Sequence, residues 1–488
     1  MSQEVRALLP NKLWNNFADL NAVPRPSKKE ERVIAFAKAF GENLGLETIV
    51  DEIGNVVIKK PATAGMENRT PIVMQSHLDM VHQKNADTKF DFITEGIRMV
   101  VDGDWVKAEG TTLGADNGIG VATIMAILQS DDIAHPAIEA LFTIDEETGM
   151  TGAQELREGM LNGKILLNLD TEDDRELTIG CAGGIDVTAT GMYPKEEQDK
   201  NTHVFKITVN GLTGGHSGMD IHLGRGNANK LMNRILYCCT QDFDCRISSI
   251  QGGSLRNAIP RESFAEITVP EKDEAEFEKF FNAIADTIRT EHKSTDPSLN
   301  ISIKKQSQGV NSVINREDQM ELIAAIYGTP NGIYRMSPDI PELVQTSNNL
   351  AKIEIANGKY SAQCLTRSAV DSEKMDLAYG IEAIWKIIGG KVEFDGSYPG
   401  WAPNPSSEVV EMMADLYREM YQEEPLVMAC HAGLECGIIG EHYPELDMVS
   451  FGPNIRGAHS PDETAQISSV QKFWDFTLET LKRIPVQS

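Results

Sequence analysis

Five short stretches of this chain carry residues that could do chemistry together. They are His77-Leu-Asp79, Asp116 within Gly114-Ala-Asp-Asn-Gly-Ile-Gly120, Glu146-Glu147, Asp170 and His459. Each alone reads as ordinary: an Asp before an apolar helix is an N-cap, and a single His is structural or solvated. The set reads differently. Two imidazoles with three or more carboxylates form the donor set of a hydrolytic pair of metal ions. Imidazole suits zinc, cobalt or manganese, whereas calcium prefers all-oxygen cages. Clustered carboxylates without a cation would repel one another. Spacing separates roles: His77 and Asp79 share a face if the strand continues through both, so Asp79 can orient the imidazole. Glu146 and Glu147 are adjacent and point differently, so one can bind a metal while the other stays free as a base.

Such ligands need elements that end where they begin. The β-rich run Pro71–Met74 leads into His77, Ala140–Ile144 into Asp145-Glu-Glu147, and Lys164–Asn168 into Asp170. Helical patterns at Ile119–Gln129 and Ala153–Met160 fall between them, and short strands at Thr48–Val50 and Val56–Ile58 precede them. Ser27 reads as the N-cap of a helix through Leu44. Strands alternating with helices predict an α/β domain with a mixed, largely parallel sheet, and ligands bind at the carboxyl ends of such strands.

After Gly183-Gly184 the pattern becomes α+β. Strands at Val204–Val209 and Phe264–Val269 accompany helices at Asn227–Cys239 and Glu274–Ile288. A second unit of the same kind follows, with strands near Leu343–Thr346, Ala351–Ile355 and Tyr360–Leu365 and a helix at Ser372–Ile387. The α/β pattern resumes with Glu408–Tyr421, Asp447–Phe451 and Val470–Ile484. The expected division is a catalytic domain of residues 1–186 and 400–488, interrupted by a large α+β domain at 187–399.

Composition narrows the function. The chain has 488 residues, 41% hydrophobic and 24% charged, more than one core of ordinary size. A net charge of −28 argues against nucleic acid or an anionic membrane as partner. Seven cysteines, an odd number without a Cys-x-x-Cys pair, suggest reduced thiols and a cytoplasmic setting. No secretory signal pattern opens the chain, and no apolar run is long enough to span a bilayer.

The series His77-Leu-Asp79-Met-Val, Gly114-Ala-Asp116-Asn-Gly, Asp145-Glu-Glu147-Thr-Gly, Leu169-Asp170 and His459-Ser-Pro-Asp-Glu463 resembles the co-catalytic zinc metallopeptidases, the family of aminoacylase, carboxypeptidase G, the tripeptidases and carnosinase. Cys181-Ala-Gly-Gly-Ile-Asp186, Gly214-Gly-His216-Ser-Gly218, Arg256-Asn-Ala-Ile-Pro260 and His431-Ala-Gly-Leu-Glu-Cys-Gly437 are similar to its bacterial cytosolic branch that cleaves Xaa-His dipeptides. The resemblance implies two Zn2+ per chain, with Co2+ or Mn2+ as substitutes. Asp116 would bridge them, His77 and Asp170 would complete one position, and Glu147 and His459 the other. Glu146 would be the general base and Asp79 would steady His77. The inserted domain would act as a lid, with His216 stabilising the oxyanion and Asn257 and Arg367 holding the substrate, Arg367 on its terminal carboxylate. A cis peptide between Asp116 and Asn117 is also implied. The expected substrate is a dipeptide, β-alanyl-histidine included, and a homodimer is compatible with the resemblance. The rival readings are an N-acyl amino acid deacylase and a metal-dependent binding protein without catalysis; the intact Glu146 argues against the second.

Overall fold

The computed structural model describes residues 3–404 and 406–487. The chain divides into two compact units. One comprises Met1–Gly180, Trp401–Ala429 and Leu434–Ser488; the other comprises Cys181–Gly400 and Cys430–Gly433. The fold is mixed α/β, as the alternation of patterns predicts.

The first unit is built on an eight-stranded sheet in the order Glu47–Val50, Val56–Lys60, Ile138–Thr143, Ile72–His77, Ile165–Asn168, Asp447–Ser450, Glu176–Cys181, Leu426–Cys430. Its middle is parallel: Ile72–His77 pairs in parallel with both Ile138–Thr143 and Ile165–Asn168, and Asp447–Ser450 continues the pattern. Val56–Lys60 pairs antiparallel with both of its neighbours. The three central strands are buried throughout, as strands covered on both faces must be. The helix Ala115–Leu128 is buried at every position but Asp116, which fits a sequence apolar on all sides.

Two local expectations differ from the structure. The first long helix spans Glu31–Asn43, and Ser27 does not cap it. The Ser27 hydroxyl instead donates to Asp79 Oδ2 at 2.8 Å, so a tertiary acceptor displaces the local cap. The pattern at Ala153–Met160 yields only the turn Thr151–Gln154, because Gly159 is left-handed (φ +80°) and the chain turns towards the next strand.

The second unit holds one antiparallel sheet of nine strands. Its order is Asn300–Lys305, Thr202–Asn210, Ser263–Pro270, Arg246–Gly252, Val344–Ala356, Lys359–Ser368, Gly183–Met192, Lys391–Tyr398, with Gly332–Met336 also paired to Val344–Ala356. Two separate α+β units are therefore the wrong division. Arg246–Gly252 pairs with Val344–Ala356 and joins both halves into one sheet. The two strands expected at Leu343–Thr346 and Ala351–Ile355 are one strand with an irregularity between Leu350 and Lys352. The helices Ala228–Asp242, Glu274–Glu291, Arg316–Gly328 and Asp371–Ile387 contribute to one continuous apolar core with Phe205, Phe277, Phe281 and Trp385 at full burial.

Candidate dinuclear metal centre

His77 closes the strand Ile72–His77. The ladder continues one step further, since the Leu78 amide donates to the Thr143 carbonyl at 2.8 Å. Alternation therefore holds through Asp79, whose Oδ1 lies 3.3 Å from His77 Nδ1. The Glu146 and Glu147 amides donate to Asp79 at 3.1 and 3.3 Å, so one buried carboxylate ties the end of the first strand to the turn after Ile138–Thr143.

Asp116 is no helix cap. It leaves the helical conformation (φ −78°, ψ 114°), the bond to Asn117 is cis, and its two oxygens point to different imidazoles. Oδ1 lies 3.1 Å from His77 Nε2 and Oδ2 lies 3.2 Å from His459 Nε2. Asp170 Oδ1 is 3.6 Å from His77 Nε2, and Glu147 Oε2 is 3.0 Å from His459 Nε2. Asp170 also accepts from the Asn117 amide side chain. Two overlapping groups result, His77/Asp116/Asp170 and Asp116/Glu147/His459, each with its donor atoms within 4.8 Å of one another. The Asp116 carboxylate belongs to both. A third group, His77/Glu146/Glu147, places Glu146 beside them. A fourth, Glu30/Asp79/Asp145, is already occupied by protein donors, since Ser27, Lys28 and the amides of 146 and 147 bond to it.

The electrostatics follow from burial and from this crowding. Burial opposes charge on Asp116, but hydrogen bonds from His459 and His77 outweigh it and hold the group well below the usual carboxylate range. Burial pushes Asp170 up to about 7 and raises Glu146 well above its ordinary value, with the His77 charge working against both. Glu147 Oε1 is buried without a hydrogen-bond partner. Imidazole nitrogens and carboxylate oxygens converging on a shared carboxylate, with an acceptor left over, fit a pair of divalent cations of the zinc, cobalt or manganese type.

Sequence reasoning missed two supports of this centre. Arg25 is fully buried and donates to the carbonyls of Leu78 (3.0 Å), Asp79 (2.9 Å) and Gly114 (2.6 Å). A side chain at Gly114 would strike it, since a Cβ there meets Arg25 Nη2 at 2.5 Å. Glu463 accepts from the amides of Leu113, Gly114, Ala115 and Asp116 at 2.7, 2.9, 2.7 and 3.2 Å. Two prolines flank Arg25 and Glu463 follows His459 by four residues; these are the only signals in the sequence.

The second unit gathers the remaining candidates. His216 Nδ1 accepts from the Gly218 and Met219 amides at 3.2 and 3.0 Å, which leaves the proton of the neutral ring on Nε2. Burial and the Arg367 charge lower this imidazole to about 4. The Asn257 carbonyl accepts from the Ser217 amide at 2.8 Å, and His216 bridges to Ala258, so these two segments adjoin. Asn257 itself is exposed. Arg367 is buried on the strand Lys359–Ser368, opposite Ser347 and Gly184, and donates to Tyr398 Oη at 2.8 Å. No carboxylate among the described residues forms an ion pair with it. His431, buried and lowered to about 3 by burial and then by Arg367, lies 2.7 Å from Ser347 Oγ through Nε2.

A parallel-centred α/β unit whose strand ends carry a two-cation donor set defines a class of hydrolases, and the comparison with known families agrees. Residues 73–483 match the model of Peptidase family M20/M25/M40, and the chain belongs to that family. It is 40% identical over 484 residues to the cytosol non-specific dipeptidase of Escherichia coli (strain K12), covering 99% of this chain and 100% of that protein. It is also similar to the crystal structure of aminoacylhistidine dipeptidase from Vibrio alginolyticus, with a TM-score of 0.93, 43% identity and coverage of 100% and 99%. Aminopeptidase PepT from Bacillus cereus shares the fold at 15% identity, with a TM-score of 0.57 and coverage of 98% and 99%.

Proposed function

We propose that this chain is a dinuclear metallodipeptidase that hydrolyses unblocked dipeptides, Xaa-His among them. The observation that carries the reading is Asp116, one carboxylate shared between two imidazoles that each meet a further carboxylate. His77, Asp116 and Asp170 would hold one Zn2+, and Asp116, Glu147 and His459 the other, with Co2+ or Mn2+ as substitutes. When bound, such a pair supplies Lewis-acid polarisation of the peptide carbonyl and a water acidified to near neutrality.

The chain's own residues do the rest. Glu146, half-buried beside the cation positions, takes the proton of the attacking water and returns it to the leaving amine. Asp79 steadies His77 and the Glu146-Glu147 turn together. His216, with its proton on Nε2, donates to the developing oxyanion. Arg367, a buried guanidinium without an acidic partner among the described residues, receives the substrate's terminal carboxylate, and Asn257 helps to hold the substrate. Residues 187–399 would serve as the lid that brings these groups to the substrate. The names of the relatives at 40% and 43% identity support dipeptide substrates and, for the first, a cytosolic setting. No helix of the described chain is long and apolar enough to cross a membrane.

A panel of Xaa-His and other free dipeptides beside N-acetyl amino acids tests the reading. Turnover of dipeptides that a chelator abolishes and Zn2+, Co2+ or Mn2+ restores is the expected result. Preferential cleavage of the N-acetyl amino acids would establish the deacylase reading instead.

A further inference from the structure

The two cation positions are supported in unlike ways. His77 and Asp170 follow neighbouring parallel strands, and their side chains are 1% and 7% exposed. His459 stands on a loop between the short strands Ile455–Arg456 and Thr464–Gln466, left-handed (φ +65°), with a side chain 57% exposed. An imidazole placed that way keeps little packing to hold it.

Glu463 is the one buried residue of 457–463. Its carboxylate reaches the loop that presents Asp116 and accepts four consecutive amides, two on each oxygen. A single side chain thus ties the loop of His459 to the loop of the shared carboxylate. Arg25 performs the matching task on the other side, joining the Gly114 carbonyl to the carbonyls of Leu78 and Asp79 just beyond His77. His77 also has the eight-stranded sheet to hold it, whereas His459 stands on a loop whose one buried side chain is Glu463.

We infer that Glu463 is a positioning residue that sets the cation position formed by Asp116, Glu147 and His459, and that this position is the weaker of the two. The inference rests on the dinuclear reading above. Residues that orient metal ligands typically change metal affinity by about 10–100-fold when replaced. The test is a Co2+ titration of the metal-free full chain, read by the visible spectrum and by competition with a chelator. The parent is expected to take up two ions with separable affinities. Glu463→Gln is expected to weaken the looser one at least about tenfold and leave the tighter one within about threefold. Placed in a His459→Ala background, Glu463→Gln should leave the affinity of the remaining ion, which shares Asp116, within about threefold. Glu463→Asp keeps the charge but withdraws it by one methylene, and should weaken the same position less; it also carries the test if the glutamine variant does not fold. Equal weakening of both positions, or none at either, overturns the inference while the dinuclear reading stands. A parent that binds fewer than two ions overturns both.

Discussion

The same residue type sits in opposite electrical settings in the two units. In the first, hydrogen bonds donated to Asp116 and Glu147 push His459 up to about 11. His77 also rises well above its ordinary value: burial opposes the rise, but Asp170, Asp116 and Asp79 outweigh it. In the second unit, burial and then Arg367 drive His216 down to about 4 and His431 down to about 3. One cluster has negative charge to spare and calls for cations. The other holds a buried guanidinium without an acidic partner among the described residues and calls for an anion. On the proposed reading, a dipeptide would answer the second demand with its terminal carboxylate, and a pair of divalent cations the first. Electrical incompleteness, more than cavity shape, is what identifies each cluster.

The largest effect expected is at Glu146, a carboxyl beside the two ligand groups rather than needed by both. Glu146→Gln should retain both metals and lose about 10²–10⁴-fold in kcat. Dipeptide turnover with metal content measured on the same sample checks this. Near-parental turnover would reduce the acidic cluster to a metal holder and break the comparison on that side.

Arg367 tests the other side. Arg367→Met should cost roughly 10–100-fold in kcat/KM for a dipeptide with a free carboxylate, the worth of hydrogen bonds to a charged group. It should cost much less for the same dipeptide as its amide. The charge that helps to lower His216 and His431 is removed as well, so both imidazoles should titrate closer to their ordinary value, as NMR would show. An equal loss on acid and amide would mean that Arg367 does not meet the carboxylate.

How much of this was legible depends on which contacts were local. His77, Glu147 and Asp170 could be read because each follows a strand-like run, and periodicity locates strand ends. Asp116 could be read from the small residues around it. Arg25 could not: burying a guanidinium contradicts hydropathy, and its acceptors lie 53, 54 and 89 residues away. Ser27 reads locally as a cap for the same reason, since its acceptor is 52 residues distant. In the second unit the strands Thr202–Asn210, Ser263–Pro270, Val344–Ala356 and Lys359–Ser368 were legible, but Gly183–Met192, Asn300–Lys305, Gly332–Met336 and Lys391–Tyr398 were not, and the pairing of Arg246–Gly252 with Val344–Ala356 leaves no trace in either segment, so one sheet read as two units.

His431 gives a pH test with a definite sign. Its folded pKa of about 3 lies below the unfolded value of about 6.5, so between those values the unfolded chain binds more protons. The neutral imidazole therefore imposes no penalty above about pH 6.5, and stability falls as pH drops towards 3. At pH 5 the loss from this group alone is about 2 kcal/mol. His431→Gln keeps a partner for Ser347 and cannot be protonated. Its stability in urea should fall less between pH 7 and pH 5 than that of the parent. Parallel pH dependences would mean that His431 is charged in the folded chain, and the second cluster would not be the neutral histidine environment described.

The smallest effect concerns the rim of the acidic cluster. Lys28 pairs with Asp145, the residue before Glu146, and both adopt left-handed backbone, φ +68° and +57°. The pair is lopsided: the Lys28 side chain is 60% exposed and that of Asp145 only 3%. Two magnitudes compete. Breaking a buried ion pair leaves a stranded charge and costs 3–5 kcal/mol, whereas an exposed pair contributes about 0–1. Asp145 also accepts from the Thr148 and Thr151 hydroxyls, so it keeps two donors when the lysine is removed. Water can enter where the exposed ammonium stood. The exposed case should therefore win, and Lys28→Met should cost about 1 kcal/mol or less in urea denaturation. The loss should shrink further in high salt, where screening already weakens the parent's pair. A cost above about 3 kcal/mol would show that Asp145 depends on Lys28 for its charge, and the cations supporting the acidic cluster would then number two, Arg25 within and Lys28 at its edge.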